Sequence, residues 1–126
     1  MNTAYRVWDG KQMHYWNDKG VNLVFQDNGR WSLWQGYGDR CVASSNDGKS
    51  VLMWGTGLKD KNGKDIYDKD IDMMDNDHPM IVFYKDGRYG LKFPDNHNYF
   101  DDCIDWDECE IGGDVYQNPE LLEGAE

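Results

Sequence analysis

The chain has no run of about 18 apolar residues, the length a membrane-spanning helix requires, and its opening MNTAYRVWDG holds no apolar signal core. A soluble, cytoplasmic protein is expected, with no membrane contact. Cysteine is scarce: Cys41, Cys103 and Cys109 are odd in number and unsuited by spacing to a secreted disulfide framework. Catalytic signatures are missing as well, with no nucleophile elbow, Walker loop, dinucleotide fingerprint or H-E-x-x-H. His14, His78 and His97 stand in unrelated contexts, and His78 precedes Pro79 as a loop residue would. These absences lead us to expect no enzymatic activity and no cofactor.

Metal chemistry is similarly undersupplied. The segment Asp60-Lys61-Asn62-Gly63-Lys64-Asp65 has the look of a calcium loop. However, Gly63 falls fourth where an EF-hand needs Gly sixth, Lys64 occupies a ligand position, and Ile71 stands at twelve in place of Glu. A hairpin turn accounts for it better. His97, Asp101, Cys103 and Cys109 lack a C-x2-C knuckle, and buried thiols are the simpler reading. No metal is expected.

What the chain does have is aromatic mass. Trp, Tyr and Phe make up 14% of 126 residues, enough apolar area to argue for one folded domain in spite of the acidic composition. About four of the six Trp are expected in the core, since a small barrel with few Leu and Ile needs large side chains to fill it. Turn formers are regularly placed: Asp18-Lys19-Gly20, Asp27-Asn28-Gly29, Asn46-Asp47-Gly48, Lys61-Asn62-Gly63 and Lys85-Asp86-Gly87. Such Asn-Gly and Asp-Gly steps between extended segments signal hairpins. The stretches at 21–25, 30–34, 80–84 and 88–93 are β-branched or aromatic and partly alternating, as strands are. Near the end, Asn118 suits an N-cap, Pro119 a first helical position, Glu120 the helix dipole and Gly124 a stop. An all-β chain with one short helical turn and tail at 118–126 follows.

One stretch carries more. Thr56 to Tyr67 reads TGLKDKNGKDIY, preceded near the start by Arg6-Val7-Trp8-Asp9 with Met13, and followed near the end by Val115-Tyr116-Gln117-Asn118-Pro119-Glu120-Leu121-Leu122. In that order these segments resemble the YopX family of small phage and prophage proteins. The resemblance implies a small SH3-type barrel over 1–126 and a phage or prophage setting, and it brings no established activity. The chain departs from the family pattern at Trp54, Gly55, Lys69, where the family usually has Gly, and Asp72, where an apolar residue is usual. Lys at 69 disfavours the positive φ that a Gly would permit.

Charge is segregated. Residues 1–64 carry a net +3 and residues 65–126 a net −14. Two runs dominate, Asp68, Asp70, Asp72, Asp75 and Asp77 with Asp65 before them, then Asp101, Asp102, Asp105, Asp107, Glu108 and Glu110. In a strand, Asp68, Asp70 and Asp72 would fall on one face at about 6.6 Å intervals, close to the roughly 7 Å phosphate spacing of nucleic acids. Ile104 and Trp106 alternate with carboxylates in the second run, as in an acidic edge strand with its apolar face inward. A clustered negative field repels DNA and RNA and draws basic protein surfaces. The expectation is an acidic surface, built from both runs, that binds a host protein with a basic surface and mimics nucleic acid, while direct nucleic-acid binding is not expected. The alternatives are a passive barrel that self-assembles into a homo-oligomer through its edges, with the charge only solubilising, and single-strand binding by the basic, aromatic first half.

Overall fold

The computed structural model describes residues 4–36, 40–75, 77–94, 96–101 and 104–123, with the side chains of 96–100 left aside. The all-β class holds: among the described residues twelve strands alternate with turns, and helix is limited to single 3-10 turns. Every strand pairing is antiparallel. The chain divides into two compact units, residues 4–54 and 55–123.

The first unit contains β1 (Tyr5–Trp8), β2 (Met13–Tyr15), β3 (Asn22–Phe25), β4 (Trp31–Gln35), β5 (Arg40–Ser44) and the start of β6 (Val51–Lys59). β1 lies between β2 and β6, while β3, β4 and β5 form a separate three-stranded sheet. Their inward faces meet in one core of Val7, Trp31, Leu33 and Ala43, flanked by Tyr5, Val21, Leu23, Val42 and Leu52. Each such aliphatic side chain contributes about 1.5–3 kcal/mol when withdrawn from water. Of the six Trp, Trp31 is buried and Trp8, Trp34 and Trp106 are half-buried, whereas Trp16 and Trp54 are exposed. Trp31 belongs to this core and Trp106 packs against that of the second unit, two where about four were expected.

The second unit contains β7 (Asp65–Tyr67), β8 (Asp70–Asp72), β9 (Met80–Lys85), β10 (Arg88–Phe93), β11 (Asn96–Asp101) and β12 (Ile111–Asp114). Strand order in its sheet is β11-β10-β9-β8-β12, and β7 pairs with the end of β6. The core is Ile66, Val82, Leu91, Cys109 and Ile111, against which Met80, Tyr89, Ile104 and Trp106 pack. Period two explains the β9–β10 hairpin: Val82 and Leu91 are register partners and face this core together.

Three of the five turn signals join paired strands, at 27–29, 61–63 and 85–87. The other two, at 18–20 and 46–48, connect strands that do not pair with one another. Gly63 takes φ 79°, as the tight β6–β7 turn requires. Lys69 departs from expectation by adopting φ 72°. Two backbone hydrogen bonds fix it there, Lys69 N–H donating to Val82 O at 2.9 Å and Val115 N–H donating to Lys69 O at 3.1 Å. The sheet thus overrides the residue's own preference.

The helical turn at the end is a 3-10 turn over Pro119–Leu121 with Pro in its first turn. Asn118 does not cap it by side chain; its Oδ1 accepts the Asp114 N–H at 3.2 Å instead, bracing β12. Gly124 lies outside the described residues. Gly113 sits so close to Asn118 that an added Cβ would come within 2.4 Å of its Oδ1 and 2.8 Å of its Cβ. Gly113→Ala is therefore expected to destabilise by about 1–3 kcal/mol, the usual cost of overpacking, read as a lower urea midpoint with unchanged m-value.

Candidate functional site

The carboxylates singled out by sequence separate into two chemically different sets. In the first run, the phosphate-like ladder does not reach the surface. Asp70 is 2% exposed and its Oδ2 accepts the Tyr67 N–H at 2.7 Å. Asp72 is 4% exposed and its Oδ1 accepts two amides, Met74 N–H at 3.1 Å and Glu110 N–H at 3.0 Å. Asp68 is half-buried, with Oδ1 3.8 Å from Lys69 Nζ. Period two does put Asp70 and Asp72 on one face of β8, but that face is turned away from solvent. The expectation that they present charge to a partner is corrected accordingly: their lone pairs are needed by backbone donors. Asp75 and Asp77 are exposed, and Asp75 accepts from Asp77 N–H and pairs with His78 Nδ1, both at 3.1 Å.

Two carboxylates that sequence reading passed over do the same work as Asp72. Asp60 Oδ1 accepts the N–H groups of Asn62 and Lys64, both at 2.9 Å, which closes the β6–β7 turn. Its Oδ2 accepts the Ile111 N–H at 2.9 Å, so one side chain ties that turn to the start of β12. Asp114 receives Tyr116 N–H, Gln117 N–H and Gln117 Nε2 at 2.8–2.9 Å. The available signal was the Asp followed by Asn-Gly at 60–63, an Asx-turn pattern. Nothing local announced the long-range half of the contact.

In the second run the polarity is reversed. Residues 104–110 form no strand; Trp106–Glu108 make a 3-10 turn. Ile104, Trp106 and Cys109 pack against the core, which leaves Asp105, Asp107 and Glu108 exposed around an anchored turn. Among the described residues no ion pair neutralises these three. Glu110, at the edge of the group, lies 3.5 Å from Lys61 Nζ. Asp101 ends β11 half-buried, and Asp102 and Cys103 lie outside the described residues.

Titration follows this division. Burial alone would raise Asp60, but the hydrogen bonds from Ile111, Lys64 and Asn62 outweigh it and hold the carboxyl below its usual value. Asp9 is lowered in the same way, burial being overcome by His14, Gln12 and Lys11. Asp47, exposed in a turn, is lowered to about 2: the burial penalty is outweighed by the combined hydrogen bonds of the Ser50 hydroxyl and the Lys49, Ser50 and Ser44 amides. Burial, with Asp72, Asp60 and Asp105 nearby, pushes the Cys109 thiol up to about 12. Cys109 is thus a protonated packing residue at neutral pH, not a nucleophile. Cys41 is exposed.

The family resemblance read from the three motifs is borne out. The chain belongs to the YopX family: the family model described as YopX protein matches residues 4–123. It is 41% identical to the SPbeta prophage-derived protein YopX of Bacillus subtilis (strain 168), with 99% of each chain covered. The crystal structure of protein yopX from Bacillus subtilis matches with a TM-score of 0.74 and 39% identity, covering 98% of this chain and 100% of that one. Protein EF1440 from Enterococcus faecalis matches with a TM-score of 0.60 and 25% identity, covering 95% and 97%.

Because Asp9, Asp47 and Asp60 have depressed values in the folded state, their stabilising effect is complete above about pH 4, the unfolded carboxylate value. It is lost as pH falls through the folded values, about 2 for Asp47. Unfolding midpoints are expected to be flat from neutral pH to about 5 and to drop steeply below 4. Asp60→Ala, which orphans three backbone donors, is expected to cost about 3 kcal/mol and to flatten part of that acid limb in denaturant titrations.

Proposed function

We propose that this chain is a non-enzymatic prophage accessory protein that binds a host protein with a basic surface through the acidic turn at 105–110. The prophage setting comes from the Bacillus subtilis relative. The observation that carries the reading is the exposed, un-neutralised set Asp105, Asp107 and Glu108 on a turn whose Trp106 is packed in the core. Carboxylates held on a pinned turn lose little entropy on docking, and their field raises the encounter rate with a cationic partner. Asp75, Asp77 and Glu110 extend the same sign of charge in this unit.

Nucleic-acid mimicry is the finer form of the reading, in which the turn occupies a host surface that otherwise receives phosphates. It rests on the 105–110 group and no longer on a ladder through Asp70 and Asp72. Inhibition of a host nucleic-acid-binding or defence complex would be its consequence.

A second reading has one observation in its favour. Phe25 and Trp54 are exposed and stack at 6.1 Å with 10° between their planes, and Tyr5 meets Trp54 edge-on at 6.3 Å. Such a platform is what single-stranded nucleic acid stacks on. Quenching of tryptophan fluorescence by an oligothymidylate, lost in Trp54→Ala, distinguishes this reading from the first.

For the acidic turn, the triple reversal Asp105→Lys, Asp107→Lys, Glu108→Lys is expected to abolish capture of the host protein from a natural-host lysate. The thermal midpoint should shift little, since these side chains contribute no described structural contact. Capture by the unaltered chain should weaken as salt is raised. Equal capture by the reversed and unaltered proteins would refute the proposal.

A further inference from the structure

The strongly acidic second unit brings two lysines together over one aromatic ring. Lys92 Nζ stands 3.9 Å from the centroid of the Phe83 ring, and Lys69 Nζ stands 4.8 Å from the same centroid. Topology accounts for the convergence. Phe83 on β9 is the register partner of Gly90 on β10, while Lys92, two residues on, pairs with Ile81. Phe83, Ile81, Gly90 and Lys92 therefore share a face of the hairpin. Gly90 has no side chain to block the ring, so Lys92 can lean across it. Lys69 approaches from the β7–β8 turn, where its N–H donates to the backbone of Val82, the residue before Phe83.

This arrangement is held against two costs. Lys69 occupies a left-handed φ of 72°, which a β-carbon disfavours. Two ammonium groups attracted to one ring also repel each other. Burial, and after it the charge of Lys69, lowers the Lys92 pKa, with Asp68 acting in the opposite sense. Asp68 offsets part of the positive charge, but its Oδ1 is 3.8 Å from Lys69 Nζ, beyond a direct hydrogen bond. Two lysines against one carboxylate leave a local excess of one positive charge.

We propose that Lys69 and Lys92, gathered over the Phe83 ring, form a binding site for an oxyanion of the phosphate class. Such an anion accepts hydrogen bonds from both ammonium groups and removes their mutual repulsion. The surrounding net charge of −14 over residues 65–126 opposes a long polyanion more than a small one, which favours a free phosphate or pyrophosphate over a nucleic-acid backbone. This inference does not depend on the acidic turn binding a protein.

The test follows the lysine side-chain resonances of the full chain by NMR during separate titrations with inorganic pyrophosphate and with a short oligothymidylate. Saturable shifts at Lys69 and Lys92 with pyrophosphate are expected, with affinity about tenfold weaker in Lys92→Gln. Lys69→Gly should weaken binding similarly while keeping the fold, because Gly accepts the left-handed backbone that Lys69 holds under strain. Lys85→Gln, an exposed change on β9, should bind as the unaltered chain does. Saturation by the oligothymidylate alone would keep the phosphate site and assign it to a nucleic-acid backbone. The proposal is overturned if neither probe saturates, or if Lys69→Gly binds as tightly as the unaltered chain.

Discussion

The two oxygens of Asp60 face different parts of the second unit, and that unit depends on both. Oδ1 closes the β6–β7 turn through Asn62 and Lys64, and Oδ2 takes the Ile111 amide fifty-one positions further along the chain. The neighbouring backbone contacts point the same way: Lys61 N–H donates to Cys109 O at 2.9 Å, and Met73 N–H donates to Glu110 O at 2.7 Å. Asp72 adds the Glu110 amide from its own side. The segment entering β12 is therefore positioned largely by carboxylates. A charged acceptor forms stronger hydrogen bonds than a neutral one, which suits a unit whose aliphatic core is small.

This dependence changes the meaning of the charge imbalance. A count of acidic residues in the second half suggests one continuous negative surface. Asp70, Asp72 and Asp114 of that half, like Asp60 just before it, are in fact buried and act as backbone acceptors. Asp72 stands where the family usually has an apolar residue, and it is accommodated because the Met74 and Glu110 amides and the Cys109 thiol surround it. An unpaired carboxylate there would be costly. What remains for recognition is the smaller set whose neighbours are buried in their place, with Trp106 inward and Asp105, Asp107 and Glu108 outward.

Local chemistry made three of the five hairpin turns and four strands legible, because Asn-Gly and Asp-Gly steps specify their own backbone and β-branched runs specify extended chain, while strand pairing across the turns at 18–20 and 46–48 was decided elsewhere. The strand β6 was harder to see, since Gly55 and Gly57 interrupt it, and its identity comes from pairing with β1 and β7. Period two correctly grouped Asp70 with Asp72 but could not say that both faces of β8 are covered. That depends on residues around 110, far away in sequence. Lys69 was opaque for the opposite reason: local preference opposed its left-handed turn, and contacts from Val82 and Val115 prevailed. The 3-10 turn at 106–108 replaced an expected acidic strand; alternation correctly turned Ile104 and Trp106 inward but fails at Glu108, which is exposed, and at Cys109, which is buried.

The anchoring of the 105–108 turn by Trp106 has an evolutionary consequence. A residue that holds the scaffold and residues that meet the outside world are interleaved within four positions, and they answer to different pressures. Trp106 is constrained by the core whatever the protein meets. Asp105, Asp107 and Glu108 are exposed and lie outside the core, so they can be rewritten when a partner changes while the turn that displays them stays in place. The buried aspartates have no such licence, and across relatives the two kinds of acidic residue should diverge at different speeds.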